Sequence, residues 1–288
     1  MVELVSFYLL DPFAYGFMRR ALVAAILVGA VCALLSCYLV LKGWALMGDA
    51  VSHAVLPGIV LAWMAGLPLA LGAFAAGMGC ALLTGYIKDH SRVKEDTVMG
   101  IVFAGMFAVG LVMLSRIETD IHLMHILFGN ILGVGWGDIV EILALAGVTI
   151  AVVLLKWRDF MIYVFDPVYA KVAGLPVRAL HFSLLVLLAL SIVASLKAVG
   201  IILVIALLIA PGATAFLISH DFRRMMILAV LMAVFCCVAG LVISFHADIA
   251  TAPVIVLLQA GLFAAAFGCN LLREEKSGIW HAKKTKTG

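Results

Sequence analysis

Asp49 and His53 stand four residues apart in GDAVSHAVLPG, residues 48–58, between two apolar stretches. At that spacing two side chains share one helix face. A carboxylate oxygen and an imidazole nitrogen together suit first-row divalent ions such as manganese, iron and zinc. The same pair also suits a proton relay. The plain alternative is an acid that caps a helix and an imidazole that hydrogen-bonds a neighbouring helix. Pro57 follows in the same stretch and removes one helical hydrogen bond, which marks a kink.

The elements that must hold this pair are membrane helices. Of 288 residues, 66% are hydrophobic and only 12% charged, with a mean hydropathy of +1.24. Soluble domains carry about 25% charged residues, so a soluble fold is excluded. Nine apolar stretches, near 21–41, 46–65, 68–87, 97–115, 138–155, 179–196, 199–218, 225–245 and 251–270, approach the ~20 residues a bilayer crossing needs. If one of them does not cross, eight spans remain. Helices are the form that pairs its own backbone in lipid. The fold class is therefore an all-α integral membrane protein, a polytopic bundle of eight to nine transmembrane helices. Pro211 and Gly212 mark a kink or break in the seventh stretch. HILFGNILGVGWGD, after Arg116, reads as a short surface helix or re-entrant turn.

Charge sets the orientation. With the loop at 156–178 in the cytoplasm, fifteen of the nineteen basic residues fall on that side. Arg19, Arg20, Arg116 and Lys197 are the four left outside. This asymmetry is the positive-inside pattern. Residues 1–20 form an N-terminal interfacial segment, 21–270 the transmembrane domain, and 271–288 a basic cytoplasmic tail against anionic lipid. Lys42 and Trp44 mark the cytoplasmic interface. At ~1.5 Å per residue, Asp49 lies ~10 Å deep and His53 ~16 Å deep. That is near the middle of a hydrocarbon core ~30 Å thick, where ionisable groups usually mark a pathway.

Other residues carry weaker signals. His122 and His125 lie in an outer segment beside Glu118 and Asp120, and His246 and Asp248 in the outer loop SFHADIATAP. Each pair is a candidate outer gate or mouth, against the plainer reading of solvated loop charge. The six cysteines sit in or beside apolar runs without CxxC spacing, as buried hydrophobes do. Neither a disulfide nor a thiolate metal site is expected. GxxxxGK[ST] and HExxH are both missing, so neither P-loop ATP binding nor zincin-type catalysis is expected of this chain. In DPVYAKVAGLPV, Asp166 and Pro167 make a helix start and Gly174 a stop, with Pro176 beyond it. The result is a helix of about two turns bearing the small residues Ala170, Ala173 and Gly174. Such a knob suits a groove on a partner.

LSCYLVLKGWALMGDAVSHAVLPGIVLAW resembles the membrane subunit of ATP-binding-cassette importers for manganese, iron or zinc. VKEDTVMGIVFAGMFAVGL, FDPVYAKVAGLPV and ALLIAPGATA are similar to three further signatures of that family, in the same order. The likeness spans residues 15 to 270, and its wording is closer to the manganese and chelated-iron branch than to the zinc branch. It implies a type II importer-like fold, with Asp49 and His53 lining the metal pathway. It also makes 156–178 the coupling loop. The implied partners are a cytoplasmic ABC ATPase, a periplasmic or surface metal-binding protein, and a second copy or sibling permease. Membrane lipid surrounds them, and no nucleic acid takes part. The chain is then no enzyme, holds no permanent cofactor, and passes a divalent ion through the bacterial cytoplasmic (inner) membrane. Its C-terminus is cytoplasmic. The rival reading is an ion-coupled secondary metal carrier that uses Asp49 and His53 as a relay.

Overall fold

The computed structural model describes residues 11–116, 129 and 131–276. His122, His125 and the tail beyond 276 lie outside the described residues. Ten α-helices follow in order among the described residues: α1 Gly16–Lys42, α2 Ala45–Ala54, α3 Leu56–Met64, α4 Leu69–His90, α5 Glu95–Ser115, α6 Trp136–Phe165, α7 Pro167–Val172, α8 Val177–Ile218, α9 Phe222–Ala247 and α10 Thr251–Lys276. Among the described residues they supply nine segments long and apolar enough to cross a bilayer. The all-α polytopic fold expected from the sequence is the one observed, and no strand occurs among the described residues.

The boundaries differ where charges interrupt the apolar signal. α1 starts at Gly16 rather than 21, because Arg19 and Arg20 lie within its first turns. α6 runs through Lys156, Arg158 and Asp159 to Phe165, so much of the expected loop at 156–178 is helix. Its backbone kinks at Lys156 (φ −110°, ψ 15°) and then continues. In the segment after Arg116, the described part holds a single 3₁₀ turn, Ile131–Gly133.

α1 is the centre of the bundle. It packs against α6, α8 and α9, and α10 closes on α8 and α9. Ala21, Ala24, Cys32, Ala33, Cys37 and Tyr38 of α1 are fully buried. Small residues let membrane helices pack closely where lipid gives no hydrophobic drive. Other large apolar side chains point outward: Leu155 is 82% exposed, Leu257 71% and Ile101 69%, as lipid-facing positions require. Three buried hydroxyls, those of Ser52, Ser191 and Ser195, are satisfied within their own helices by donating to carbonyls four residues back.

α8 holds two spans, Val177–Leu196 and Ala198–Ile218. Between them Gly200 leaves the helical region (φ 77°, ψ 169°). A positive φ of this kind favours glycine, and here it divides the two arms.

Candidate ion path and docking helix

The hydrogen-bond ladder of the second span is interrupted, although Val55 keeps right-handed helical dihedrals. α2 ends at Ala54 and α3 begins at Leu56, with Val55 between them (φ −70°, ψ −20°). The cause is Pro57, which has no N–H to offer the carbonyl of His53, four residues back. Val55 N–H turns to that carbonyl instead. α5 passes closely over the break. A Cβ on Gly110 would meet Pro57 N at 2.9 Å and Leu56 Cγ at 3.0 Å, so glycine permits this approach.

Just before the break, Asp49 and His53 meet. His53 Nε2 lies 3.2 Å from Asp49 Oδ1, with the side chains 26% and 31% exposed. Phe107 of α5 sets its ring edge against the imidazole at 5.3 Å, and Phe103 stacks at 6.1 Å. These rings fix the plane of His53. The second ring nitrogen, Nδ1, is buried without a hydrogen-bond partner. Bonds of about 2.1 Å to one ion place neighbouring ligand atoms about 3 Å apart, so donors separated by 3.2 Å fit a shared ion. Alternatively, Nε2–H donates to Asp49, and Nδ1 carries the free lone pair. Among the described residues, no group of three or more His, Cys, Asp or Glu is placed to hold a metal. One chain therefore offers two strong donors here, with water or a second chain to complete any shell.

The short helix α7 is the candidate docking element. Asp166 Oδ1 accepts N–H bonds from Val168 and Tyr169, both 2.9 Å, and Pro167 occupies the first turn. Leu175 N–H closes the far end on Ala170 O at 3.0 Å, beside Gly174 at φ 79°. Of the small residues expected on the surface, Ala173 and Gly174 are exposed and Ala170 is not. Ala170 is fully buried, whereas Val168, Tyr169 and Val172 are 72%, 60% and 81% exposed. Sequence reading missed these three. Their i, i+1, i+4 spacing was the available signal.

The outer residues are separate from this constellation. His246 and Asp248 lie at the end of α9, where His246 Nδ1 is 2.9 Å from Val242 O. Asp248 adopts a left-handed conformation (φ 51°, ψ 47°), and its N–H caps the helix on Ser244 O.

Pro211 lies within the second arm of α8, which stays helical around it. Gly212 N–H donates to Ser36 Oγ of α1 at 2.9 Å, and Ser36 Oγ donates to Ile209 O at 3.2 Å. One hydroxyl thus serves both a donor and an acceptor beside the proline. A Cβ on Gly212 would come within 2.7 Å of the Ser36 backbone. Ser36 was not singled out from the sequence, since one serine in an apolar run carries no signal alone.

The sequence profile of the ABC 3 transport family matches residues 14–270. The chain belongs to that family. A relative in it, the chelated iron transport system membrane protein YfeD of Yersinia pestis, is 62% identical over 92% of this chain and 90% of its own length. The manganese transport system membrane protein MntB of Synechocystis is 46% identical over 90% of this chain and 85% of its own. The structure of PsaBC from Streptococcus pneumoniae in complex with Fab aligns at TM-score 0.83 and 35% identity, over 91% of this chain and 95% of that one. The family and its iron and manganese branch are those the four motifs pointed to.

Proposed function

We propose that this ABC 3 family chain is the permease subunit of an ATP-driven importer for manganese or iron, with zinc as the further candidate. The observation that carries the reading is the Asp49–His53 pair, 3.2 Å apart at the break in the second span. Support comes from relatives whose names specify iron and manganese transport. The subunit lies in the cytoplasmic membrane with its C-terminus inside. It works with a second permease, an ABC ATPase and a metal-binding protein outside. ATP binding moves the ATPase, α7 passes that motion to the spans, and the bundle opens to each side in turn. Asp49 and His53 hold the ion between openings. Two donors per chain bind weakly enough to release it, as conduction requires. His246 and Asp248 stand at the outer mouth, with His122 and His125 assigned to the same side. Pro57 gives the second span its break, and Pro211 marks the pivot of the seventh.

The test is ATP-dependent uptake of manganese, iron and zinc in vesicles holding the permease, its ATPase and its metal-binding protein. His53→Ala lowers uptake at limiting metal roughly hundredfold while the complex still assembles. Normal uptake by an assembled His53→Ala complex excludes His53 from the path. Uptake that survives without the ATPase excludes the ATP-driven reading.

A further inference from the structure

A groove of about 590 Å³ opens between α6 and α9, away from the Asp49–His53 pair. Both helices pack on α1, and Leu34 of α1 lines the groove with Leu154 of α6 and Ile227 and Leu231 of α9. Leu154, Ile227 and Leu231 are 54%, 54% and 60% exposed. At one end, Arg158 of α6 and Arg223 of α9 line the same groove, and Trp157 lies beside them. From Arg223 to Leu231 the helix rises ~12 Å. The groove is therefore apolar along its length and cationic at one end.

That end is built rather than incidental. Tyr38 of α1 is fully buried between the two walls. Its ring meets Phe160 of α6 edge-on at 5.9 Å and Phe222 of α9 at 5.0 Å. Its hydroxyl reaches Trp157 O at 3.5 Å and Met226 Sδ at 3.7 Å. Tyr38 thus braces the residues adjoining each arginine. The Arg158 guanidinium lies 5.2 Å from the Trp157 ring centroid. The acids next to the arginines pair with other side chains: Asp159 with Lys156 at 3.1 Å, and Asp221 with Arg224 at 3.7 Å, while Asp221 Oδ1 also accepts the Arg223 backbone N–H at 3.1 Å. Both arginines belong to the side that the charge asymmetry assigns to the cytoplasm.

We propose that this groove binds one anionic phospholipid of the cytoplasmic leaflet, its phosphodiester held by Arg158 and Arg223 and an acyl chain lying along Leu154, Ile227 and Leu231. Guanidinium forks match phosphate oxygens, and basic pockets between helices on this side select anionic headgroups. The Trp157 indole sits at the headgroup level, where tryptophan is enriched. Charge complementarity singles out this occupant, since a neutral lipid would leave both guanidiniums facing a headgroup without net charge.

The experiment is native mass spectrometry of the full chain with phosphatidylglycerol or phosphatidylcholine added. Each basic residue contributes about 1 kcal/mol, so the native chain should prefer phosphatidylglycerol on the order of tenfold or more. R158Q/R223Q should bring the two lipids to near parity. R224Q, which removes an arginine paired with Asp221, should keep the preference. Ile227→Trp fills the apolar groove and leaves both charges, so it should weaken retention of the first phosphatidylglycerol. Size-exclusion profiles establish that each variant is folded. A folded double variant that keeps the native preference overturns the proposal, as does equal retention of both lipids by the native chain. If the double variant keeps the lipid preference but loses an added ATPase, the arginines form a protein contact and the lipid assignment fails.

Discussion

Two prolines sit in two spans with opposite results. At Pro57 the hydrogen-bond ladder is interrupted, and the nearby Asp49 and His53 stand partly open beside Phe103 and Phe107. At Pro211 the helix continues, and Ser36 of α1 bonds Gly212 N–H and Ile209 O beside it. Each proline removes one hydrogen bond. What differs is the neighbour. The carbonyls that lose their donors are those of His53 and Leu207. Ser36 bonds neither, so at the second site it acts as a clamp between α1 and α8 beside the proline.

Substitutions at the clamped site should cost the most. Gly212→Ala forces a Cβ against the Ser36 backbone and should destabilise the chain by about 3 kcal/mol. Thermal unfolding in detergent measures it, and an unchanged midpoint would show that α1 and α8 do not meet there. Ser36→Ala leaves the Gly212 N–H without its acceptor, at about 2 kcal/mol. Ser36→Cys, which keeps a weaker donor and acceptor, should fall between the native chain and the alanine variant.

The broken site should respond in transport rather than stability. Pro57→Ala returns an N–H to the His53 carbonyl and lets α2 and α3 join. Uptake should drop roughly tenfold as the Asp49–His53 pair turns, with little change in unfolding midpoint. The smallest effect belongs to Pro211→Ala, within about 0.5 kcal/mol, because the helix there is already continuous. If Pro211→Ala cripples uptake and Pro57→Ala does not, the roles of the two sites are reversed.

Much of this was legible in the chain itself. Runs of apolar residues give the spans, and the i, i+4 spacing gives the Asp49–His53 contact, because both depend on local geometry. Asp166 and Pro167 likewise announce the start of α7, since an N-cap is a local device. The unread parts depend on residues far apart. Nothing near Ser36 shows that it meets Gly212, 176 positions on. Gly110 was unmarked because its importance comes from Pro57 on another helix. The outward face of α7 was misread for a related reason. Ala170 looked like a knob, but it is fully buried, and which side of so short a helix faces the bundle is set by α6 and α8. The ends of α1 and α6 were misplaced because hydropathy reports charge, whereas helices end where hydrogen bonding ends.

The joints of α7 have a mechanical consequence. Asp166 alone separates α7 from α6, and its carboxylate is already tied into the first turn of α7. On the other side, residues 173–176 lead to α8, and Leu175 is bonded back to Ala170. A force on the exposed Val168, Tyr169 and Val172 therefore meets almost no slack. It loads α6 and the first arm of α8 together, so the two helices behave as one lever with little backlash.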